Sequence, residues 1–254
     1  MEPRSVAAGH GWQWIADGFG LFRKNPLIWI VLFLIYFVII ILLSVIPFIG
    51  PLINSLLGPV FSAGFMLACR DLGRGEDIEI AHLFAGFRCN TAQLVTVGGL
   101  YLVGTIVIVG AAMLLGGGGA GWSMMFQTMP MNGAPHTEAT GVATQGMLLV
   151  FLAMLLFIMP LLMAYWFAPV LVVMDDLKAL EAMKLSFRAC LRNIAPFLVY
   201  GVISLVLIMA AVIPFGLGML VAVPVLTASI YTAYRDIFPQ QAVEEKTAPV
   251  MQEF

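Results

Sequence analysis

Six long apolar segments constrain the fold of this chain more than any other feature of its sequence. They occupy residues 27–46, 52–69, 94–115, 147–173, 197–213 and 216–234. A helix needs about 20 residues to cross a hydrocarbon core, whereas a barrel strand alternates in polarity over about 10. Because the segments are continuously apolar, they predict an all-α integral membrane protein with six transmembrane helices. The fourth contains Pro160 and Pro169, so we expect it to be tilted or kinked.

The charge distribution agrees with a membrane protein and predicts its orientation. Only 10% of the residues are charged, compared with about 25% in a soluble domain. All 12 Lys and Arg residues lie before span one, between spans two and three, between spans four and five, or after span six. The positive-inside rule therefore predicts that both termini are cytoplasmic. The net charge of −2 predicts no nucleic-acid partner.

A similar stretch of aromatic and basic residues precedes spans one, three and five. The three stretches read "LFRKNP", "GFRCNTAQ" and "SFRACLRNIAP". Each predicts an amphipathic helix of about four turns that lies at the cytoplasmic headgroup level before a transmembrane hairpin. In the first, Trp12, Ile15, Phe19 and Phe22 share one helical face. This predicts three units, 1–71, 72–176 with an outer loop at 116–146, and 177–236, followed by a flexible cytoplasmic tail at 237–254.

Hairpins one and three resemble each other in further details. Their outer turns read "IPFIGP" and "IPFGLG", and Pro59-Val60 in the first returning helix corresponds to Pro224-Val225 in the other. Arg70-Asp71 and Arg235-Asp236 follow these prolines at the same distance. We interpret the units as parallel repeats about an axis normal to the membrane. The alternative is that aromatic-basic pairs occur at any membrane interface.

The basic residues of these stretches are the candidate site. They stand where lipid phosphates lie, and each contributes about 1 kcal/mol near an anionic surface. The candidate ligands of anionic headgroups are Arg23, Lys24, Arg88, Arg188 and Arg192, but we expect simple anchoring of the helices, with selective headgroup binding as the alternative. Three asparagines are expected to cap or hydrogen-bond the turns into the spans: Asn25, Asn90 and Asn193.

The outer loop offers the other set of candidate ligands. Its soft side chains would suit Cu(I) in an exposed compartment: Met124, Met125, Met129, Met131 and His136. Methionine also serves as adaptable packing in a hydrophobic loop, and the chain contains 16 of them. We therefore expect no metal site, with copper binding as the alternative.

The sequence contains none of the motifs that usually carry catalysis. HExxH, GxSxG, a P-loop and paired carboxylates in one motif are all missing, so we expect a non-enzyme without a cofactor. The six spans contain no Asp, Glu, Lys, Arg or His, which disfavours carboxylate-driven ion transport. Asp175-Asp176 is expected to cap the amphipathic helix that follows it.

Three stretches resemble an uncharacterised family of bacterial inner-membrane proteins with six spans: "GWQWIADGFGLFRKNP", "IEIAHLFAGFRCNTAQLVTVGGLYLVG" and "WFAPVLVVMDD" with "AMKLSFRACLRNIAPF". More remotely, the chain is similar to the membrane domain fused to some glycerophosphodiester phosphodiesterases. The resemblance implies a location in the bacterial inner membrane. It implies no activity, because the catalysis of the remote relatives belongs to a separate soluble domain.

Two functions remain open at this point. The first is a non-enzymatic scaffold or accessory subunit that docks a membrane protein partner, which the apolar spans and the large outer loop favour. The second is a transporter or lipid-handling protein whose three hairpins surround an apolar cavity, which the repetition favours.

Overall fold

The computed structural model describes residues 2–47, 49–115 and 140–239, and all secondary structure in these ranges is helical. This confirms the all-α class for the described residues. The α-helices are α1 (His10–Lys24), α2 (Pro26–Ser44), α3 (Ile49–Arg74), α4 (Thr91–Leu115), α5 (Thr140–Trp166), α6 (Ala168–Met174), α7 (Ala179–Arg192), α8 (Ile194–Val212) and α9 (Met219–Ile237). A 3₁₀ helix, Ile80–Phe87, lies between α3 and α4.

Five stretches of helix within the described residues are long and apolar enough to cross a membrane. They are Pro26–Ser44, Ile49–Arg74, Thr91–Leu114, Val150–Met174 and Ile194–Val212. The predicted sixth span, 216–234, corresponds to α9, which is not among these five because its last turns are polar. A sixth span therefore stays a prediction.

The fourth predicted span is broken near its end. The chain leaves the helical hydrogen-bonding pattern at Phe167, so that α5 and α6 are separate helices. Pro169 stands in the first turn of α6, where the missing N–H removes no helical hydrogen bond. Pro160 remains inside α5. Of the two prolines, Pro169 is therefore the one beside the break.

Helices α3, α6 and α9 form the centre of the molecule. More than half (56%) of the most apolar stretch of α3 is buried within the protein, compared with 6–17% for the other four candidate spans. Residues 168–172 of α6 are all buried, and Tyr234 of α9 is fully buried. We call α3, α6 and α9 the inner helices. The other long helices, α2, α4, α5 and α8, bury few of their residues within the protein.

Neighbouring long helices pack in sequential pairs. Helix α2 contacts α3, α4 contacts α5, and α8 contacts α9. Representative contacts are Phe33 with Phe65 (ring centroids 4.5 Å apart), Tyr101 with Tyr165 (4.6 Å), and the Tyr200 hydroxyl with Ser229 Oγ (2.8 Å). Each pair joins an outer helix to an inner helix or to the helix that continues into one.

The three elements that precede these pairs, α1, the 3₁₀ helix and α7, are called the collar helices below. Helix α1 lies across α8 and α9 and makes few contacts with α2. A Cβ atom at Gly11 would lie 2.3 Å from the Pro196 carbonyl oxygen, and one at Gly18 would lie 2.8 Å from the Val225 carbonyl oxygen. Only glycine permits this backbone approach. The first collar helix therefore docks on the last helix pair.

The other two collar helices also dock on the pair that precedes them in the chain. The 3₁₀ helix packs on α3, where a Cβ atom at Gly86 would lie 2.0 Å from the Val60 carbonyl oxygen. Helix α7 packs mainly on α5 and touches α8 only lightly. The docking is thus cyclic: the second and third collar helices each dock on the helix pair before them in the chain, and the first docks on the last pair. These contacts cross the boundaries of the three units predicted from the sequence.

The prediction for one collar helix is wrong in detail. The second collar helix is not four turns of α-helix but an eight-residue 3₁₀ helix, whose period of three directs both Leu83 and Gly86 toward α3. On the predicted aromatic face of α1, Ile15 and Phe22 are buried in the protein, whereas Trp12 is 57% and Phe19 43% exposed. The buried face instead includes glycines, because close docking on α8 and α9 selects small residues there.

Candidate functional site

The five basic residues that are candidate headgroup ligands are all exposed. They are distributed over the end of α1 (Arg23 and Lys24), the residue after the 3₁₀ helix (Arg88), and α7 (Arg188 and Arg192). Lys24 Nζ donates a hydrogen bond to the Leu72 carbonyl oxygen (2.7 Å). Arg23 lies 5.8 Å from the ring centroid of Phe19. The structure therefore spreads these cations around the collar helices and does not gather them at one point.

The three turn asparagines have different roles. Asn193 is fully buried, and its amide nitrogen donates to the carbonyl oxygens of Ala189 (3.0 Å) and Arg4 (2.9 Å). Its side-chain oxygen accepts from the Val6 N–H (2.9 Å), so Asn193 ties the N-terminal segment to the turn between α7 and α8.

Asn90 and Asn25 also stand between a collar helix and a long helix. Asn90 has a positive φ of 51° and donates to Asp176 and to the Val172 carbonyl oxygen (3.4 Å). Asn25 lies between α1 and α2 and makes no side-chain cap hydrogen bond. The proposed copper ligands Met124, Met125, Met129, Met131 and His136 lie outside the described residues.

The ends of the inner helices meet beside the collar helices, where each carries an aspartate. The pairs are Arg70-Asp71 in α3, Met174-Asp175 at the end of α6, and Arg235-Asp236 in α9. The first member of every pair lines a common cavity of about 180 Å³. We call it the basic cavity. Its full lining is Arg70, Gly73, Arg74, Met174, Tyr231 and Arg235.

The basic cavity is positively charged. Arg70 Nε donates to Asp71 Oδ1 (2.8 Å), whereas neither Arg74 nor Arg235 forms an ion pair within the described part of the chain. The ring of Tyr231 is buried, but its hydroxyl faces the same space, 4.0 Å from a Cβ atom placed on Gly73. No acidic residue is part of the lining. Such an arrangement suits an anion and not a metal cation.

The aspartates of the pairs fasten the collar end of the molecule. Asp71 Oδ2 lies 3.2 Å from His82 Nε2 of the 3₁₀ helix. Asp236 Oδ2 lies 2.6 Å from His10 Nδ1 and accepts a hydrogen bond from Trp14 Nε1 (2.8 Å). Two collar helices are thus held to inner helices by a histidine and an aspartate.

The third aspartate links two inner helices. Asp175 Oδ2 accepts a hydrogen bond from the Tyr234 hydroxyl of α9 (2.8 Å). Burial raises the pKa of Asp175 above its ordinary value, although this hydrogen bond opposes the shift. The predicted capping role of Asp175-Asp176 is wrong, because Lys178 is the N-cap residue of α7 and provides no side-chain hydrogen bond. Both carboxylates instead accept hydrogen bonds from other parts of the chain, Asp175 from Tyr234 and Asp176 from Asn90.

Reasoning from the sequence missed Arg70, Arg74, Tyr231 and Arg235 as candidate ligands. Their spacing contained a usable signal, because Arg70 and Arg235 each stand eleven residues after the matching prolines, Pro59 and Pro224. In the sequence, that repetition indicates internal homology. In the structure, the two equivalent arginines line the same cavity.

Comparisons with known proteins give a family and a relative. Residues 12–252 match the family model described as a domain of unknown function, DUF7847. A probable inner membrane protein of Burkholderia thailandensis is 33% identical over 272 residues, covering 98% of this chain and 97% of that protein. No solved structure matches. The similarity to an uncharacterised inner-membrane protein agrees with the sequence, whereas the remote likeness to glycerophosphodiester phosphodiesterases stays a prediction.

Proposed function

This chain belongs to the family of the domain of unknown function DUF7847, and on that premise we propose that it is a non-enzymatic scaffold of the bacterial inner membrane. The observation that carries the proposal is the cyclic docking of the collar helices on the preceding helix pairs. Displacing one pair would disrupt the collar helix seated on it and the collar helix that leads into it. Such an arrangement supports a rigid platform for a membrane protein partner.

The proposal includes six spans and cytoplasmic termini. Helix α9 has 19 residues, which corresponds to about 28 Å, close to a hydrocarbon thickness of about 30 Å. Two of its polar residues face protein: Ser229 Oγ contacts the Tyr200 hydroxyl, and Thr232 Oγ1 donates to the Trp14 carbonyl oxygen (2.8 Å). A helix shielded in this way crosses a membrane with less apolarity than an outer helix needs. This supports α9 as the sixth span.

The packing of the axis favours a scaffold over a transporter with a central path. Side chains of all three inner helices fill the centre, including the fully buried Cys69, Leu171 and Tyr234. A substrate path along this axis would require these helices to separate. In a scaffold they stay packed while partners bind outside.

One observation favours the second candidate function, lipid handling. An apolar groove of about 450 Å³ lies between α1, α8 and α9, with Trp12, Ala16 and Phe19 on one side and Leu207 and Val221 among the residues on the other. Its composition suits an acyl chain. A lipid-handling protein would hold a lipid in this groove as part of its activity.

Native mass spectrometry of gently extracted protein distinguishes the two functions. We expect a protein partner at fixed stoichiometry, retained in the variant Ala16→Leu, which fills the groove from α1. Gln13→Leu places the same side chain on α1 outside the groove lining, where it does not fill the groove, and is the control. The opposite outcome is a protein that retains only lipid and that loses this lipid in Ala16→Leu but not in Gln13→Leu. That result would refute the scaffold proposal and support lipid handling.

A further inference from the structure

The basic cavity has the composition of an anion-binding site. Arg70, Arg74 and Arg235 enter it from two inner helices, and Tyr231 adds a hydroxyl group. We propose that this cavity binds a phosphate group, carried either by a lipid headgroup or by a small soluble molecule.

The charges of the lining are left largely uncompensated by the described protein. Asp71 forms an ion pair with Arg70 and so compensates one of the three positive charges. Asp236 compensates none of the others, because its oxygens interact with Arg4, His10 and Trp14 on the side of the collar helices. Arg74 and Arg235 therefore remain available. Guanidinium groups donate parallel N–H bonds to two oxygens of one phosphate, which makes arginine the preferred residue for such ligands.

The position and size of the cavity restrict the ligand. A volume of about 180 Å³ is below the roughly 300–1,000 Å³ of pockets for drug-sized molecules. A phosphate group fits this space, whereas the rest of a larger ligand must remain outside. The cavity also lies at the collar end of the molecule, which the charge distribution predicts to be at the headgroup level.

A purely structural role accounts for part of the arrangement. Arg74 and Arg235 stand in the last turns of α3 and α9, where a cation stabilises the helix dipole without any ligand. This role does not explain why Arg70, one turn earlier, lines the same space. It also does not explain the Tyr231 hydroxyl, for which the described residues provide no hydrogen-bond partner.

The third inner helix offers a gain-of-function variant. Met174 lines the cavity and directly precedes Asp175, just as Arg70 precedes Asp71 and Arg235 precedes Asp236. The variant Met174→Arg would therefore place a cation at the equivalent position of every inner helix. A dipole role predicts no change in ligand affinity, whereas a phosphate site predicts tighter binding.

Binding to the purified full-length chain in a neutral detergent tests the proposal. The probes are inorganic phosphate and dihexanoyl phosphatidic acid, with dihexanoyl phosphatidylcholine as the reference lipid. The double variant Arg74→Gln/Arg235→Gln is compared with Lys178→Gln/Lys184→Gln, which removes the same charge from exposed positions at the start of the third collar helix and within it, outside both the cavity and the candidate headgroup residues. Thermal unfolding of each variant shows whether it is folded, and Tyr231→Phe, which keeps the buried ring, replaces the double variant if that fails to fold.

We expect at least one phosphate probe to bind about tenfold or more weaker to the cavity double variant, since each tenfold corresponds to about 1.4 kcal/mol and hydrogen bonds to charged groups contribute about that much. Met174→Arg should increase the affinity for the same probe, and the collar variant should leave that affinity unchanged. If phosphatidic acid binds and inorganic phosphate does not, the ligand is a lipid headgroup. If inorganic phosphate competes with phosphatidic acid, the cavity recognises the phosphate group itself. Equal losses in both double variants, unchanged binding in the cavity variants, or no binding of either phosphate probe would overturn the proposal.

Discussion

Ser186 shows how one side chain stabilises the break in the fourth long helix. Its hydroxyl accepts a hydrogen bond from the Phe167 N–H (2.9 Å) and donates one to the Met163 carbonyl oxygen (2.6 Å). These are the backbone groups that lose their helical partners where α5 ends and α6 begins. Ser186 itself is fully buried. A residue of the third collar helix therefore replaces the missing hydrogen bonds of another helix.

The variant Ser186→Ala should lower the free energy of unfolding by about 1–3 kcal/mol, because it leaves the buried Phe167 N–H unpaired. The measurement is an SDS titration followed by tryptophan fluorescence. Ser55→Ala is the control, since Ser55 bonds only to the Pro51 carbonyl oxygen within its own helix, and we expect a change below about 0.5 kcal/mol. Equal effects in the two variants would contradict the bridging role of Ser186.

Asp175 should make stability depend on pH. A carboxyl whose pKa is raised in the folded state stabilises the fold most at low pH, and this contribution is lost as the pH rises through the folded pKa. Asp175→Asn keeps an oxygen for the Tyr234 hydroxyl but does not ionise. We expect the wild type to lose stability relative to this variant as the pH rises above about 4. Unfolding midpoints of both proteins across the pH range test this, and a pH-independent difference would refute it.

At the scale of elements, the first and third collar helices bury the same pattern of positions. The buried residues of α1 are Gly11, Trp14, Ile15, Gly18, Leu21 and Phe22, and those of α7 are Ala179, Ala182, Met183, Ser186, Ala189 and Cys190. Every member of the second set stands 168 positions after its counterpart, as Asn193 does after Asn25. The correct alignment of α1 with α7 therefore matches Asn25 with Asn193, and it does not match Phe22-Arg23 with Phe187-Arg188.

The sequence was informative about elements because their apolar periodicity is local. It predicted helices near their observed positions and a tilt or kink in the span that contains Pro160 and Pro169, but it did not indicate that the helix is interrupted beside Pro169. It did not predict on which helix pair a collar helix docks, because that depends on contacts between distant segments, such as Gly11 with Pro196. The basic cavity was missed for the same reason. Arg70 and Arg235 become neighbours only when α3 and α9 pack together.

Two glycines of α1 should respond oppositely to alanine. Gly18→Ala should destabilise the protein by about 1–3 kcal/mol, because its Cβ would meet the backbone of α9. Gly20→Ala meets no atom within 4 Å and should stabilise α1 by up to about 1 kcal/mol through helix propensity. Thermal unfolding midpoints in a mild detergent should therefore shift in opposite directions. A shared direction would contradict close docking of α1 on α9.

At the scale of the whole molecule, the native cysteines allow the predicted orientation to be tested. Cys89 is exposed next to the second collar helix, whereas Cys69 and Cys190 are buried. Burial also raises the pKa of the Cys190 thiol to about 12, which keeps it protonated and unreactive at neutral pH. A membrane-impermeant maleimide should therefore label Cys89 in inverted vesicles and not in intact spheroplasts.

The matched experiment places a thiol on the opposite side. In a Cys89→Ser background, Met129→Cys lies in the predicted outer loop and should be labelled in spheroplasts. Labelling of residues 89 and 129 from the same side would refute the predicted arrangement of the membrane segments. Labelling of both from reversed sides would leave the spans intact but invert the orientation.

The docking of α1 on α8 and α9 has a consequence for biosynthesis. The ribosome makes α1 before α8 and α9, so α1 emerges well before its binding surface, which includes Pro196 and Val225. Until α8 and α9 are made, Trp14 has neither the ring of Phe197 nor the carboxylate of Asp236 beside it. The nascent chain must therefore carry an undocked amphipathic helix while α2 to α7 are synthesised, and α1 reaches its final position only when α8 and α9 arrive.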